Sequence, residues 1–102
     1  MELTSKQRAQ LRGIASTYDT ILQIGKDGIS ESVVLSAKEA LKARELIKCK
    51  VLESAMLTPR EACGELCSAC SAEPVQVIGT KFVIFKRNEN DPKIELVKKK
   101  KK

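Results

Sequence analysis

Apolar residues recur along this chain at two spacings that take turns, and this alternation most constrains the fold. In some stretches they return every three or four residues, as one helix face requires. In others they alternate or run together briefly, as in a strand. The first helical stretch opens at Leu3-Thr4-Ser5-Lys6, with Thr4 or Ser5 as N-cap, and carries Leu11, Ile14 and Ala15 over residues 5–16. A short strand, 20–24, comes next. Ser30 then caps a second helix, 31–44, whose Val33, Val34, Ala37, Ala40 and Leu41 form a buried face and whose Lys38 and Lys42 share an outer strip. Residues 45–52 alternate, with Ile47, Cys49 and Val51 on one side and Lys48 and Lys50 on the other. Thr58-Pro59-Arg60-Glu61 supplies an N-cap, a proline at the first helical position and the acid of a capping box. It starts a third helix, 59–71, that turns Ala62, Cys63, Leu66, Cys67 and Cys70 inward. Segments 74–78 and 81–87 are strands joined by Gly79-Thr80 as an antiparallel hairpin. Residues 88–92 break regular structure, and 93–97 read as a short extended return.

The order α-β-α-β-α-β-β predicts a two-layer α/β (α+β) domain: a four-stranded mixed sheet packed by helices. Outward Gln23, Lys48 and Lys50 leave much of one sheet face to water. Residues 1–97 make one domain, and the lysines at 98–102 make a tail expected to be disordered. That tail holds five of the formal +6 charges, so the body is nearly neutral and a nucleic-acid site has to come from segregated charge. The tail either adds salt-sensitive phosphate affinity or only solubilises the chain. The N-terminus lacks a signal peptide's apolar run, and no stretch approaches the roughly 18 apolar residues of a membrane span. The expected location is cytoplasmic, without a membrane partner.

Gly25-Lys26-Asp27-Gly28 lies between the first strand and the second helix. Glycine permits positive φ and close approach of another backbone. A strand–GxxG–helix arrangement therefore brings backbone N–H groups, a helix N-terminus and Lys26 to one point suited to a phosphate. The KH module clamps a nucleic-acid backbone with a GxxG loop. Two glycines three apart can equally be a plain turn, and Lys38, Lys42, Lys48 and Lys50 can equally be solvated lysines.

Four cysteines and no histidine frame the metal question. Cys63-x3-Cys67-x2-Cys70 has the spacing with which radical SAM enzymes hold an iron–sulfur cluster, but those enzymes need a far larger barrel. On a helix the three thiols form one stripe and pack as small hydrophobes. A zinc site would have to recruit Cys49 as a fourth thiolate. We expect core packing, no metal and no cofactor.

With these elements in place, Gly25-Lys26-Asp27-Gly28, Glu45-Leu46-Ile47-Lys48-Cys49-Lys50 and Val75-Gln76-Val77-Ile78-Gly79 resemble, in order and spacing, the bacterial YhbY proteins. Those are stand-alone CRM (chloroplast RNA splicing and ribosome maturation) domains, and the resemblance spans residues 2–97. It implies an RNA-binding fold similar to the C-terminal domain of bacterial translation initiation factor three. The bacterial family is associated with large-subunit ribosomal precursors, and related plant-organelle domains with group II intron splicing. By the family pattern the RNA contact is Gly25, Lys26, Asp27 and Gly28. Cysteines at 63, 67 and 70 stand where the family usually has aliphatic residues or alanine, and the lysine end is longer than the family requires.

The expected function is that of a non-catalytic RNA-binding assembly factor for large-subunit ribosomal RNA precursor within a pre-ribosomal particle. Gly25, Lys26, Asp27 and Gly28 would form the grip, and Lys48, Lys50 and Lys86 would extend it. No small-molecule substrate is expected. With few aromatics, and Phe82 and Phe85 read as buried, recognition should lean on backbone shape and charge. The competing readings are a protein–protein adaptor on the ribosome, docking through the third helix or a sheet edge with the GxxG as a structural turn, and a metal or redox protein using the cysteines.

Overall fold

A computed structural model describes residues 3–97. Its elements follow the expected order: α1 (Ser5–Ala15), β1 (Leu22–Ile24), α2 (Glu31–Arg44), β2 (Leu46–Val51), α3 (Pro59–Cys70), β3 (Glu73–Ile78) and β4 (Lys81–Phe85). Each helix begins where a side chain can satisfy its orphan amides. Thr4 caps α1 in a box with Gln7, Ser30 Oγ accepts the Val33 N–H, and Thr58 caps α3 in a box with Glu61. The lysines at 98–102, expected to form a tail, lie outside the described residues.

The strands form one mixed sheet in the order β1-β2-β4-β3. β1 runs parallel to β2, the crossover being α2, and the other two pairings are antiparallel. Side chains alternate faces along a strand, and the core divides accordingly. Ile47, Cys49 and Val51 of β2 and Phe82 and Ile84 of β4 pack with α2 and α3. Leu46 of β2 and Val83 and Phe85 of β4 pack instead with Leu11 and Ala15 of α1, and with Leu96 near the C-terminal end. The two-layer arrangement therefore holds for α2 and α3, whereas α1 covers part of the opposite face. The uncovered part of that second face carries Gln23, Lys48 and Lys50.

The segment 93–97 forms no strand, yet it is firmly held. Glu45 is fully buried at the left-handed C-cap of α2, with φ +66°. One carboxylate oxygen accepts the N–H groups of Lys93 (2.7 Å) and Ile94 (2.8 Å), and the other accepts that of Asn88 (2.7 Å). Gln10 and Gln7 of α1 then hold the backbone of Glu95 and Val97. The Glu45 carbonyl still accepts the Lys86 N–H, but Glu45 is the C-cap of α2 at positive φ and not extended, so the ladder and β4 end at Phe85, two residues short of the expected end.

Candidate nucleic-acid interface

β1 ends at Ile24, opposite Val51, and the chain turns at Gly25-Lys26-Asp27-Gly28. The turn is closed by the Gly28 N–H donating to the Gly25 carbonyl at 2.9 Å. Gly28 takes φ +65°, where a side chain would be strained. Gly25 has no such need: a Cβ there would meet Ser54 Oγ at 3.6 Å and Leu52 Cδ1 at 3.8 Å, ordinary contacts. Lys26 and Asp27 are exposed, and among the described residues their N–H groups have no protein acceptor. α2 starts just beyond. Ser30 satisfies only the Val33 amide, at 3.3 Å, leaving those of Glu31 and Ser32 at the helix mouth. α3 also begins at this end of the sheet, but its donors are largely used. Pro59 has none and Thr58 takes that of Glu61 at 3.1 Å. Among the described residues the open donors at this end are thus mainly those of the GxxG turn and α2, α3 adding only the Arg60 N–H, with the Asp27 and Glu31 carboxylates beside them.

Lys48 and Lys50 lie half-buried on the open part of the second face. Register sets Lys50 beside Gln23 on β1 and directly opposite Lys81 on β4. Lys81 is exposed at the hairpin turn, at the same sheet end as the GxxG loop. It was not among the residues singled out by sequence, because nothing local says that β4 rather than β3 lies against β2. Lys48 also helps line a cleft with Tyr18, Asp19 and Arg44. Lys86 stands apart. It follows Phe85 at the far end of β4 and faces a groove with Lys38 and Lys42 of α2. The structure thus groups Lys50 and Lys81 with the GxxG end, continues to Lys48 along the strand, and separates Lys86 from all of them.

The four cysteines are free and buried on the α2–α3 side. Burial, with the nearby Cys63 and Cys70 thiols, pushes the Cys49 thiol up to about 12. A hydrogen bond shared with Cys63, together with burial, raises that of Cys67. Such thiols are neutral and poorly nucleophilic. No group of three or more Cys, Asp or Glu side chains among the described residues is placed to hold a metal ion. Nor is any helix among them long and apolar enough to cross a membrane.

The fold and its exposed features define a small α+β domain with a glycine turn at a helix mouth and a half-open sheet face bearing lysines. The family is more specific. Residues 3–86 match the CRS1 / YhbY (CRM) domain, and the chain belongs to that family. It is 35% identical to "Probable RNA-binding protein YqeI" of Bacillus subtilis, across 92% of this chain and 98% of that one. It is 37% identical to "Probable RNA-binding protein MJ0652" of Methanocaldococcus jannaschii, across 99% of this chain and 76% of that one. The solution structure of a hypothetical protein from Staphylococcus aureus superimposes with a TM-score of 0.71 at 38% identity, covering 94% of this chain and all of that one.

Proposed function

We propose that this protein is an RNA-binding assembly factor that grips the RNA backbone at its GxxG loop, its target being the precursor RNA of the large ribosomal subunit. The observation that carries the reading is the loop itself: an exposed turn whose central N–H groups have no protein acceptor, beside an α2 start with open donors. Amides so arranged suit one phosphate. Membership of the CRM family and the names of the relatives, both probable RNA-binding proteins, support RNA as the ligand. The large-subunit precursor as target, in a pre-ribosomal particle, is what resemblance to the YhbY proteins implies.

In this mechanism Gly25 lets the sugar–phosphate chain approach the backbone, and the Lys26 ammonium pairs with a phosphate. Asp27 and Glu31 keep the loop from becoming an indiscriminate anion trap, so affinity depends on amide geometry as well as charge. Lys50 and Lys81, then Lys48, continue the phosphate track across the open sheet face. Phe82 and Phe85 are fully buried and offer no stacking platform. Binding is therefore shape-led and salt-sensitive. The factor acts in the cytoplasm without catalysis, as one domain with the lysines at 98–102 as a basic arm.

Filter binding of single-stranded ribosomal RNA fragments tests the loop. Lys26→Ala should weaken binding by roughly tenfold or less and flatten the plot of log K against log salt by about 0.7, one phosphate contact. Thermal unfolding should not move, because Lys26 is exposed and makes no bond within the described residues. Unaltered affinity and slope would remove the loop from the site.

A further inference from the structure

Lys86 was expected on the same track as Lys48 and Lys50, but it faces the other way. It joins Lys38, Lys42 and Arg87 around a groove of about 420 Å3 between the C-terminal half of α2 and the segment after β4, where Glu89 is the only acid among the described lining residues. None of the four cations makes an ion pair within the described residues. The Cys70 thiol reports how they converge. Burial raises its pKa, and the Lys38 and Lys86 ammonium groups both pull it back, so charges from two separate elements reach one spot. The walls are fixed to each other: Asn88 Nδ2 donates to the Lys42 carbonyl at 3.0 Å, and Glu45 holds the Asn88 N–H. The α2 C-terminus accounts for the cations of its last turn, Lys42 in the groove and Arg44 outside it. It does not account for Lys38, Lys86 or Arg87.

We infer that this groove is a second RNA-phosphate site, on the α2 side of the sheet, so that one molecule holds two RNA segments at once. The inference rests on the RNA-binding reading above. Four converging cations with one acid between them favour a polyanion, and no aromatic ring lines the groove to stack a base. The first track, Lys50, Lys81 and Lys48, is on the α1 side of the same sheet. The β-sheet with its α2 covering stands between the two, so a short strand seated on one side does not fill the other.

The test is an equilibrium titration of the full chain with a short, unstructured single-stranded RNA at moderate salt, followed by capture of a second, non-complementary RNA by protein already saturated on an immobilised first. The wild type should bind two RNAs and capture the second. Lys38→Glu with Lys86→Glu should bind one, its remaining affinity within about twofold, and should lose capture. Where capture persists in part, as expected of Lys38→Gln with Lys86→Gln, the salt slope for the second RNA should fall by about 1.4, at about 0.7 for each lost contact. The milder Lys38→Gln with Lys86→Gln pair should lose capture in part, and circular dichroism should show both variants folded. A groove variant that still takes two RNAs overturns the inference while leaving RNA binding intact, and so does a wild type that takes only one. A wild type that binds no RNA removes the RNA-binding reading itself. Displacement by polyglutamate but not by RNA at the groove would assign it to an acidic protein and also overturn the inference.

Discussion

Gly25 and Gly28 bracket the same turn for different reasons, and substitution should separate them. Gly28 needs its left-handed φ, so Gly28→Ala should cost roughly 1–2 kcal/mol in chemical denaturation. Gly25→Ala meets only ordinary contacts and should leave stability equal to wild type or slightly higher. It should nevertheless weaken RNA binding, because a methyl group would stand where the sugar–phosphate backbone approaches. Undiminished affinity for Gly25→Ala would show that close approach at that position is not used. Glu45 is the other residue whose chemistry is plain at this scale. Among the described residues its carboxylate is the only acceptor for three part-buried backbone amides, at 88, 93 and 94. Glu45→Ala strands all three and should cost about 3 kcal/mol or more. Hydrogen exchange at Lys93 and Ile94 should accelerate more than at β2. Equal acceleration everywhere would mean that Glu45 acts on the whole fold and not on the strap.

At the scale of elements, Lys81 and Lys50 face each other across an antiparallel pair, an arrangement that costs stability when the charges are alike. Lys81→Glu should therefore raise stability by about 0.2–1 kcal/mol while weakening RNA binding and reducing the salt slope by about 0.7, one phosphate contact on a single strand. A destabilised variant, or one with full affinity, would take Lys81 off the track. This pair also marks where sequence stops being informative. Helix starts were legible because a cap is local: Thr58, Pro59 and Glu61 define the start of α3 within four residues, and Ser30 does so for α2. The GxxG turn was legible for the same reason. Strand ends were less so, because they depend on distant partners: β1 begins at Leu22, and β4 stops at Phe85, opposite the Leu46 at which β2 begins. Which lysines share a surface was least legible. Alternation places Lys48 and Lys50 on one side of β2, but only the pairing order tells that Lys81 joins them and that Lys86 does not. Glu45 read as the first residue of a strand; its role needs a segment more than 40 residues later to fold back onto it.

On the scale of the whole molecule, β2 and β4 are shared by two apolar clusters, and the two proposed RNA surfaces are carried by elements packed on them. Stability of the α2–α3 cluster therefore governs whether the GxxG end and the basic groove keep their places. That cluster buries four free thiols, and through Cys49 it is tied to pH. The Cys49 thiol ordinarily ionises near 9.0 and is pushed up to about 12 in the fold, mainly by burial. Because the folded value is the raised one, the contribution is fully present below about pH 9 and is lost as pH climbs toward 12. The unfolded chain releases its proton first. By pH 10 the loss from this one thiol should reach about 1.4 kcal/mol. Urea unfolding at about pH 8 and pH 10 should show it against Cys49→Ala, which carries a fixed packing deficit but no proton to release, so the gap between the two proteins should narrow at the higher pH. A gap that stays constant would mean that the thiol is hydrated in the fold, and with it that the core beneath α3 is looser than four buried cysteines require.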